Sequence, residues 1–179
     1  LLPSNTVRFT HRDKKGTTWI GTDKGLLSLP SDTLALTAVH RIYFDKAPQV
    51  SFTTICETEK GLWLGTEKHG LIQYSFDHQS LKKWEGLALE TAITALGKGP
   101  HEDVLVTTEG DGVLHFQSNV NLLAHYPPGN RNTPYQVEAT YTDVYADKHG
   151  LFWVVSDLHR GVTMFDPGTK KFRSYDLNA

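Results

Sequence analysis

Four copies of one phrase divide this chain of 179 residues. In each copy a short apolar run is followed by a polar turn and a glycine, and the central residues of the four runs are Trp19, Trp63, Leu105 and Trp153. The copies lie roughly 45 residues apart, a period typical of stacked β-sheet units and above all of propeller blades. The repeat therefore constrains the fold more strongly than any single motif in the chain.

Each unit reads as four short strands rich in β-branched and aromatic residues and bounded by turn residues. In the second unit these runs begin at Phe52, Leu62, Leu71 and Leu81. No long run combines a helical period with a capping residue at its start. We therefore predict an all-β fold of four four-stranded antiparallel blades arranged radially, part of a larger seven- or eight-bladed β-propeller. The predicted blades cover residues 1–46, 47–88, 89–136 and 137–179.

Three features of the repeat carry structural predictions. A glycine opens the third strand of every unit, which indicates a positive φ or a close approach of backbone at Gly25, Gly70, Gly112 and Gly161. The first strand of each unit is apolar on both faces and is predicted to be buried near the axis of the propeller. The outer strands carry charges between apolar ends, as solvent-exposed edges do.

The tryptophans at equivalent repeat positions are predicted to pack between blades. This applies to Trp19, Trp63 and Trp153, whereas Trp84 lies on an outer strand and is expected at an edge. The single cysteine, Cys56, has no intramolecular disulfide partner and is interpreted as a small buried apolar residue.

The composition excludes several classes of partner. The net charge of −2 comes without a basic stripe, so we expect no nucleic-acid binding. No run of about 20 apolar residues is present, so we expect no direct membrane contact.

The nine histidines are scattered, without the spacing of a zinc site. A glycine-rich phosphate loop, a nucleophile elbow and a metalloprotease helix are also missing from the sequence. We therefore predict no catalytic residues, metal or cofactor in this segment, and no enzymatic activity of its own.

A ligand rim is the most specific site prediction. The loops between the second and third strands of all units recur on one face of a propeller, beside the loops that join one blade to the next. Polar and aromatic residues on these loops are predicted to surround one mouth of the central channel. The proposed ligand-binding residues are Lys24, His69, Asp111, Arg131, Tyr135, His159 and Arg160. Simple solvation of polar loops is the alternative interpretation.

A family resemblance covers the whole chain. The first unit resembles the two-component regulator propeller repeat in Leu2-Pro3-Ser4-Asn5, Asp13-x-x-Gly16, Trp19-Ile20-Gly21-Thr22 and Gly25-Leu26. The second unit matches it too, the fourth has Val155-Ser156 in place of Gly-Thr, and the third has lost the tryptophan and the Gly-Thr pair.

The resemblance implies a periplasmic, ligand-sensing propeller segment in the extracytoplasmic part of an inner-membrane receptor. Bacterial hybrid two-component receptors and membrane-bound diguanylate cyclases are the receptors implied, with the output domain outside this segment. It implies a small polar ligand such as a saccharide. The chain begins and ends near unit boundaries, so it is expected to be a piece of a longer protein, paired with flanking blades or with a second copy as a homodimer.

Two other functions remain open. A streptogramin-lyase-like propeller has a similar phrase and needs His and Glu near a divalent ion, a role open to Glu67, His69, Glu109 and His159. A propeller that binds nothing itself, and serves as a scaffold, is the other alternative.

Overall fold

The computed structural model describes residues 4–32, 40–42, 49–85, 91–129, 137–156 and 161–176. Sixteen β-strands account for its regular secondary structure, and the described residues contain no helix. The strands form four separate four-stranded sheets in which every neighbouring pair is antiparallel. The predicted all-β class and the four-sheet organisation are confirmed.

The first two sheets follow the chain order without a crossover. The first contains β1 (Val7–Arg12), β2 (Thr18–Thr22), β3 (Gly25–Leu29) and β4 (His40–Ile42). The second contains β5 (Phe52–Thr58), β6 (Gly61–Thr66), β7 (Leu71–Ser75) and β8 (Ser80–Lys83). Each strand therefore pairs with the next one along the chain, as local hairpin turns favour.

The third and fourth sheets repeat this order. The third contains β9 (Ile93–Lys98), β10 (Val104–Thr108), β11 (Val113–Phe116) and β12 (Leu122–Tyr126). The fourth contains β13 (Asp143–Ala146), β14 (Phe152–Val155), β15 (Gly161–Asp166) and β16 (Lys171–Asp176). The predicted blade boundaries fall in the connections between these sheets and stay a prediction.

Successive sheets meet through their first strands. The strand β5 packs against β1 on one side and β9 on the other, and β13 packs against β9. No contact of comparable extent joins β1 to β13 among the described residues. The four sheets therefore form an arc whose two end sheets each have one uncovered side.

The core consists of apolar layers between neighbouring sheets. The first layer contains Trp19 and Leu26 from the first sheet together with Leu62, Leu64 and Ile72 from the second. Similar layers join the second sheet to the third and the third to the fourth. Burying these side chains removes apolar area from water, which is the main favourable contribution to folding.

The repeated central residues behave as predicted in three units. The side chains of Trp19, Trp63 and Leu105 are buried and belong to the layers shared with the following sheet. The prediction is wrong for Trp153, which is half-buried and contacts Tyr175 of its own sheet, with ring centroids 5.9 Å apart. The reason is that no other sheet packs on the outward face of the fourth within the described ranges.

The expected burial of the first strands holds only in the middle of the arc. Residues of β5 and β9 are buried or half-buried throughout. The strands β1 and β13 instead alternate between exposed and covered residues, and they expose the large side chains of Val7 and Tyr145. This corrects the prediction, because a first strand is buried only when a sheet lies on both of its sides.

Two of the repeated glycines show why the position excludes a side chain. Gly112 has a φ of 75°, and a Cβ there would lie 2.3 Å from the carbonyl oxygen of Tyr126. At Gly161 a Cβ would lie 2.2 Å from the carbonyl oxygen of Tyr175. Both observations confirm the prediction of positive φ or close backbone approach, since either one favours glycine.

Side-chain contacts also join neighbouring sheets at the edge where the turns between first and second strands lie. Glu57 Oε1 accepts a hydrogen bond from the backbone N–H of Lys14 at 3.1 Å, and Glu57 Oε2 lies 3.2 Å from His11 Nε2. The carboxylate of Glu102 likewise accepts from the backbone N–H of Glu59 at 2.7 Å. These contacts link sheets that share no ladder hydrogen bonds.

No helix within the described ranges is long and apolar enough to cross a membrane.

Candidate functional site

Three of the predicted rim residues occupy equivalent loops in neighbouring sheets. Lys24 follows β2, His69 follows β6 and Asp111 follows β10. The loops 23–24, 67–69 and 109–111 lie at the same ends of their sheets, and we call the surface that they form the loop face. The other four predicted residues, Arg131, Tyr135, His159 and Arg160, lie outside the described residues.

A buried threonine holds the base of each loop. Its hydroxyl donates to the carbonyl oxygen of the glycine beyond the loop: Thr22 to Gly25 at 2.8 Å, Thr66 to Gly70 at 2.7 Å, and Thr108 to Gly112 at 2.9 Å. The hydroxyl oxygen of each threonine also accepts a hydrogen bond from a backbone N–H in the loop. The donors are Lys24 at 3.2 Å, His69 at 2.9 Å and Asp111 at 3.0 Å. We call this arrangement the threonine clamp.

The threonine clamp fixes the backbone of each candidate ligand-binding residue. The sequence shows these threonines as part of the repeated phrase, but it does not reveal that they hold the loops. The signal that could have found them is their recurrence directly before a polar turn, where Thr and Ser hydroxyls bond to nearby backbone.

The loop face also contains the segments that lead from one sheet to the next. The N–H of Glu67 donates to the carbonyl of Ser51 at 3.0 Å, and Gly110 donates to the carbonyl of Ala139 at 2.8 Å. Asp111 Oδ2 accepts from the hydroxyl of Thr91 at 2.9 Å. The two kinds of loop therefore meet as predicted, although part of the Asp111 carboxylate is used to hold the fold.

Three hydrogen-bonding atoms on the loop face have no partner among the described residues. They are Asp23 Oδ1, Ser51 Oγ and His69 Nδ1, and all three are inaccessible to solvent. A buried polar atom without a partner is costly. The described part of the fold therefore leaves hydrogen-bonding groups beneath the loop face unsatisfied.

Charges of both signs surround these atoms. Lys24, Glu67, Lys68 and Glu109 are exposed, whereas the side chain of His69 is half-buried. No hydrogen bond or ion pair connects Lys24, His69 and Asp111 to one another. The arrangement can donate and accept hydrogen bonds at several points, which suits a polar, uncharged ligand better than a strongly charged one.

No group of three His, Cys, Asp or Glu side chains able to hold a metal ion occurs within the described ranges. The lyase-like alternative requires His and Glu side chains to lie near a divalent ion. Three of the four candidates, Glu67, His69 and Glu109, lie on the loop face but do not form a metal-binding group. The fourth, His159, lies outside the described residues.

The environment of Cys56 supports its interpretation as a core residue. The side chain belongs to the apolar layer between the second and third sheets. Burial raises the pKa of the thiol to about 12, because the low-dielectric surroundings disfavour the thiolate. Cys56 is therefore protonated at neutral pH and takes no part in the loop face.

A cleft of about 410 Å³ lies away from the loop face. It opens at the outer edge of the arc between β8 and the turn before β12, and its walls include Lys82, Trp84, Asn119 and Val120. The ring of Trp84 packs edge-on against Phe116, with centroids 4.9 Å apart. Trp84 thus joins an outer edge to the third sheet, as its strand position predicted.

Several solved structures share this arrangement of sheets. One is the extracellular domain of a protein described as the hybrid two-component system BT3049 from B. thetaiotaomicron, with a TM-score of 0.77 and 16% identity over 99% of this chain. The extracellular domain of BT4673, described likewise, has a TM-score of 0.74 and 22% identity over 91% of this chain. The fold is that of a β-propeller.

Virginiamycin B lyase from Staphylococcus aureus is also similar, with a TM-score of 0.76 and 10% identity over 99% of this chain. This chain spans 58% of the lyase, but only 24% of the BT3049 chain and 22% of the BT4673 chain. No family model and no curated protein matches the sequence. At these identities the similarity establishes the fold, and the function is a separate question.

Proposed function

We propose that this chain is an extracytoplasmic, ligand-sensing propeller segment of a bacterial two-component or diguanylate-cyclase receptor. The observation that carries the proposal is the match of nearly the whole chain to extracellular domains of proteins described as hybrid two-component systems. The repeated Trp-x-Gly-Thr phrase, which resembles the two-component regulator propeller repeat, supports it. The signalling output then resides in another part of the receptor.

The loop face is the proposed ligand site. Lys24 supplies donors, the Asp111 carboxylate an acceptor, and His69 a ring nitrogen that can act as either. A polyhydroxylated ligand such as a saccharide fits this mixture, because each hydroxyl both donates and accepts. The threonine clamp supports the proposal, since loops held in one conformation lose less entropy when a ligand binds.

A ligand that touches loops from two sheets would couple its binding to the relation between those sheets. The loop face offers this opportunity, because the loop after β10 is bonded to Ala139, in the segment leading into the fourth sheet. Binding would then favour one arrangement of neighbouring blades, which is how a ligand shifts a population.

The experiment is a calorimetric and thermal-unfolding screen of mono- and oligosaccharides against the 179-residue chain. A true ligand stabilises the folded state by about 2.7 kcal/mol at 100 times its dissociation constant. Lys24→Ala and His69→Ala should weaken its binding. The matched controls are Lys148→Ala and His149→Ala, which change exposed residues in the β13–β14 turn at the opposite end of the sheets. Equal weakening by both pairs would remove the loop face as the site.

A lyase-like activity is the second candidate, and the TM-score of 0.76 with virginiamycin B lyase favours it. Quinupristin, named with that lyase in a further solved structure, is the probe to use. The chain would be incubated with quinupristin and magnesium, and the products followed by mass spectrometry. If the chain converts quinupristin and His69→Ala abolishes that conversion, the lyase function replaces the sensor proposal. Saccharide binding without conversion of quinupristin would support the sensor proposal. If neither probe binds, the scaffold alternative stands.

A further inference from the structure

The outward face of the fourth sheet carries several exposed apolar side chains, and no other described sheet packs on it. The strand register places Tyr145, Trp153, Met164 and Arg173 side by side in one row, and Asp143, Val155, Val162 and Tyr175 in the next. Tyr145 is 67% exposed and Val155 is 42% exposed. At the positions equivalent to Trp153, the side chains of Trp19, Trp63 and Leu105 are at most 3% exposed, each covered by the following sheet. The fourth sheet thus presents one half of an inter-sheet interface.

The outward face of the first sheet presents the other half. Val7 pairs with Thr22 just as Phe52 pairs with Thr66 and Ile93 with Thr108, so these three residues occupy equivalent positions. Val7 is 45% exposed, whereas Phe52 and Ile93 are at most 1% exposed and belong to the layers shared with the preceding sheet. A sheet placed before the first one would cover Val7.

We propose that two copies of this chain bind each other, with the fourth sheet of each copy covering the first sheet of the other. Two identical interfaces then close a ring of eight sheets with two-fold symmetry. These four sheets correspond to 58% of the length of virginiamycin B lyase, so two copies together supply somewhat more chain than that propeller contains.

The internal interfaces predict which residues meet. Trp19 packs on Tyr74 of the second sheet, with ring centroids 4.8 Å apart, and Trp63 packs on Phe116 of the third at 5.3 Å. The strand register makes Leu29 the equivalent of Tyr74 and Phe116 in the first sheet. Trp153 therefore packs on Leu29 of the second copy.

A second point of contact pairs two valine side chains. A Cβ on Gly65 would lie 2.7 Å from Cγ2 of Ile93, so a large residue in one sheet faces a glycine in the sheet before it. The fourth sheet carries Val155 at the position of Gly65, and the first carries the smaller Val7 at the position of Ile93. Valine adds three side-chain carbon atoms at the glycine position and removes one at the isoleucine position, so the two sheets must lie slightly farther apart here than they do at Gly65.

A third pair is polar. His11 lies 3.2 Å from Glu57 across the first interface. The equivalent residues are Tyr145 in the fourth sheet and Arg12 in the first, since the register pairs Tyr145 with Trp153 as it pairs His11 with Trp19. An arginine guanidinium against a tyrosine ring is a favourable contact.

The first sheet also limits the strength of this interface. Thr10 and Thr18 stand where the second sheet has Ile55 and Leu62. The contact between copies is therefore less apolar than the contacts within one copy, and we expect a dimer that dissociates on dilution.

Sedimentation equilibrium of the 179-residue chain over a wide range of concentration tests the proposal. The expected result is a reversible equilibrium between one and two copies. Val155→Lys and Val7→Lys should each raise the dissociation constant by at least about tenfold, because each buries an unpaired charge in both interfaces. The matched control is Leu123→Lys, a change at a residue of β12 that is 50% exposed, which should leave the dissociation constant unchanged.

Mixing the two weakened variants identifies the contacting faces. Val155→Lys keeps an intact first sheet and Val7→Lys an intact fourth sheet, so an equimolar mixture should form one intact interface and associate more tightly than either variant alone. A chain that stays monomeric at all concentrations would overturn the proposal. It would also be overturned if Val155→Lys abolished the dimer while Val7→Lys left it unchanged, because the fourth sheets would then contact each other.

Discussion

The indole nitrogen of Trp19 donates a 2.8 Å hydrogen bond to Oδ2 of Asp13, six residues before it. The other carboxylate oxygen, Oδ1, accepts from the backbone N–H groups of Lys15 and Thr17. One buried side chain thereby shapes the β1–β2 turn and orients the tryptophan that packs on the second sheet.

The fourth unit repeats this contact and the second does not. Trp153 Nε1 donates to Asp147 Oδ2 at 3.0 Å. In the second unit Thr58 takes the position three residues before the turn glycine, and its hydroxyl donates to the carbonyl of Gly61. The indole N–H of Trp63 is consequently buried, and it has no hydrogen-bond partner in the part of the chain that the structure describes. The repeat preserves the packing of the tryptophan more strictly than its hydrogen bond.

Asp13→Ala should lower the free energy of unfolding by about 3 kcal/mol, because three buried or half-buried donors lose a charged acceptor. Asp13→Asn keeps the size of the side chain and one acceptor oxygen, so its loss should be smaller. Urea denaturation measures both. Equal losses for the two variants would show that side-chain size, and not the hydrogen bonds, matters at this position.

Trp63→Ala should cost about 3–5 kcal/mol, since truncation leaves a large cavity between two sheets. Trp153→Ala should cost clearly less, because that ring is half-buried in a single copy. Both changes are best compared in the Val155→Lys background, where association does not add to stability. Equal urea midpoints would contradict the assignment of Trp63 to an inter-sheet core and Trp153 to an open face.

Stability should decrease in acid partly through Asp147 and Asp166. The hydrogen bond from the Trp153 indole lowers the pKa of Asp147, and the hydrogen bond from the Thr169 hydroxyl lowers the pKa of Asp166. Both carboxyls thus bind protons less readily in the folded than in the unfolded chain. Their contribution is present above the unfolded pKa of about 4 and is lost as the pH falls through the lower folded pKa.

Asp147→Asn tests this link. The variant should be less stable than the parent chain near pH 7, and the difference should shrink towards about pH 2. Urea denaturation at a series of pH values provides the measurement. A difference that stays constant across the series would show that the Asp147 carboxylate makes no proton-linked contribution.

Cys56 should be unreactive towards thiol reagents in the folded protein. With a pKa of about 12, the thiolate fraction near pH 8 is roughly 1,000-fold lower than for a free cysteine. Alkylation followed by mass spectrometry should show labelling only after urea is added. Rapid labelling of the folded chain would mean that the layer between the second and third sheets opens readily.

Thr66→Val keeps the shape of the side chain but removes both hydrogen bonds of the threonine clamp in the second sheet. We expect a loss of about 1–2 kcal/mol in unfolding free energy, since the part-buried His69 N–H loses its acceptor and the Gly70 carbonyl keeps only the backbone N–H of Thr66 as a donor. Amide exchange at His69 should accelerate. Thr66→Ser is the control, because it keeps the hydroxyl and should retain slow exchange.

The strands could be located from sequence because their signals are local. The predicted run Phe152 to Val155 coincides with β14, and the run Leu81 to Trp84 differs from β8 by one residue at each end. Alternating apolar residues and turn glycines act over a few positions, so they mark a strand without information about its neighbours.

Only part of the candidate site could be predicted from the sequence. The loops that carry Lys24, His69 and Asp111 follow from the repeat, which places equivalent loops on one face. The unpaired atoms of Asp23 and Ser51 have no sequence signal, because whether a polar atom finds a partner depends on how separate loops meet.

The sequence by itself determined the repeat, the order of the strands and the residue types that face between sheets. The tertiary structure alone decided which of those faces are covered. Trp19 and Trp153 stand in the same phrase, and each donates to an aspartate six residues earlier, yet only Trp19 is buried. The physical reason is that burial requires a neighbouring surface. The first sheet has the second beside it, whereas no sheet in the described part of one copy covers the outward face of the fourth.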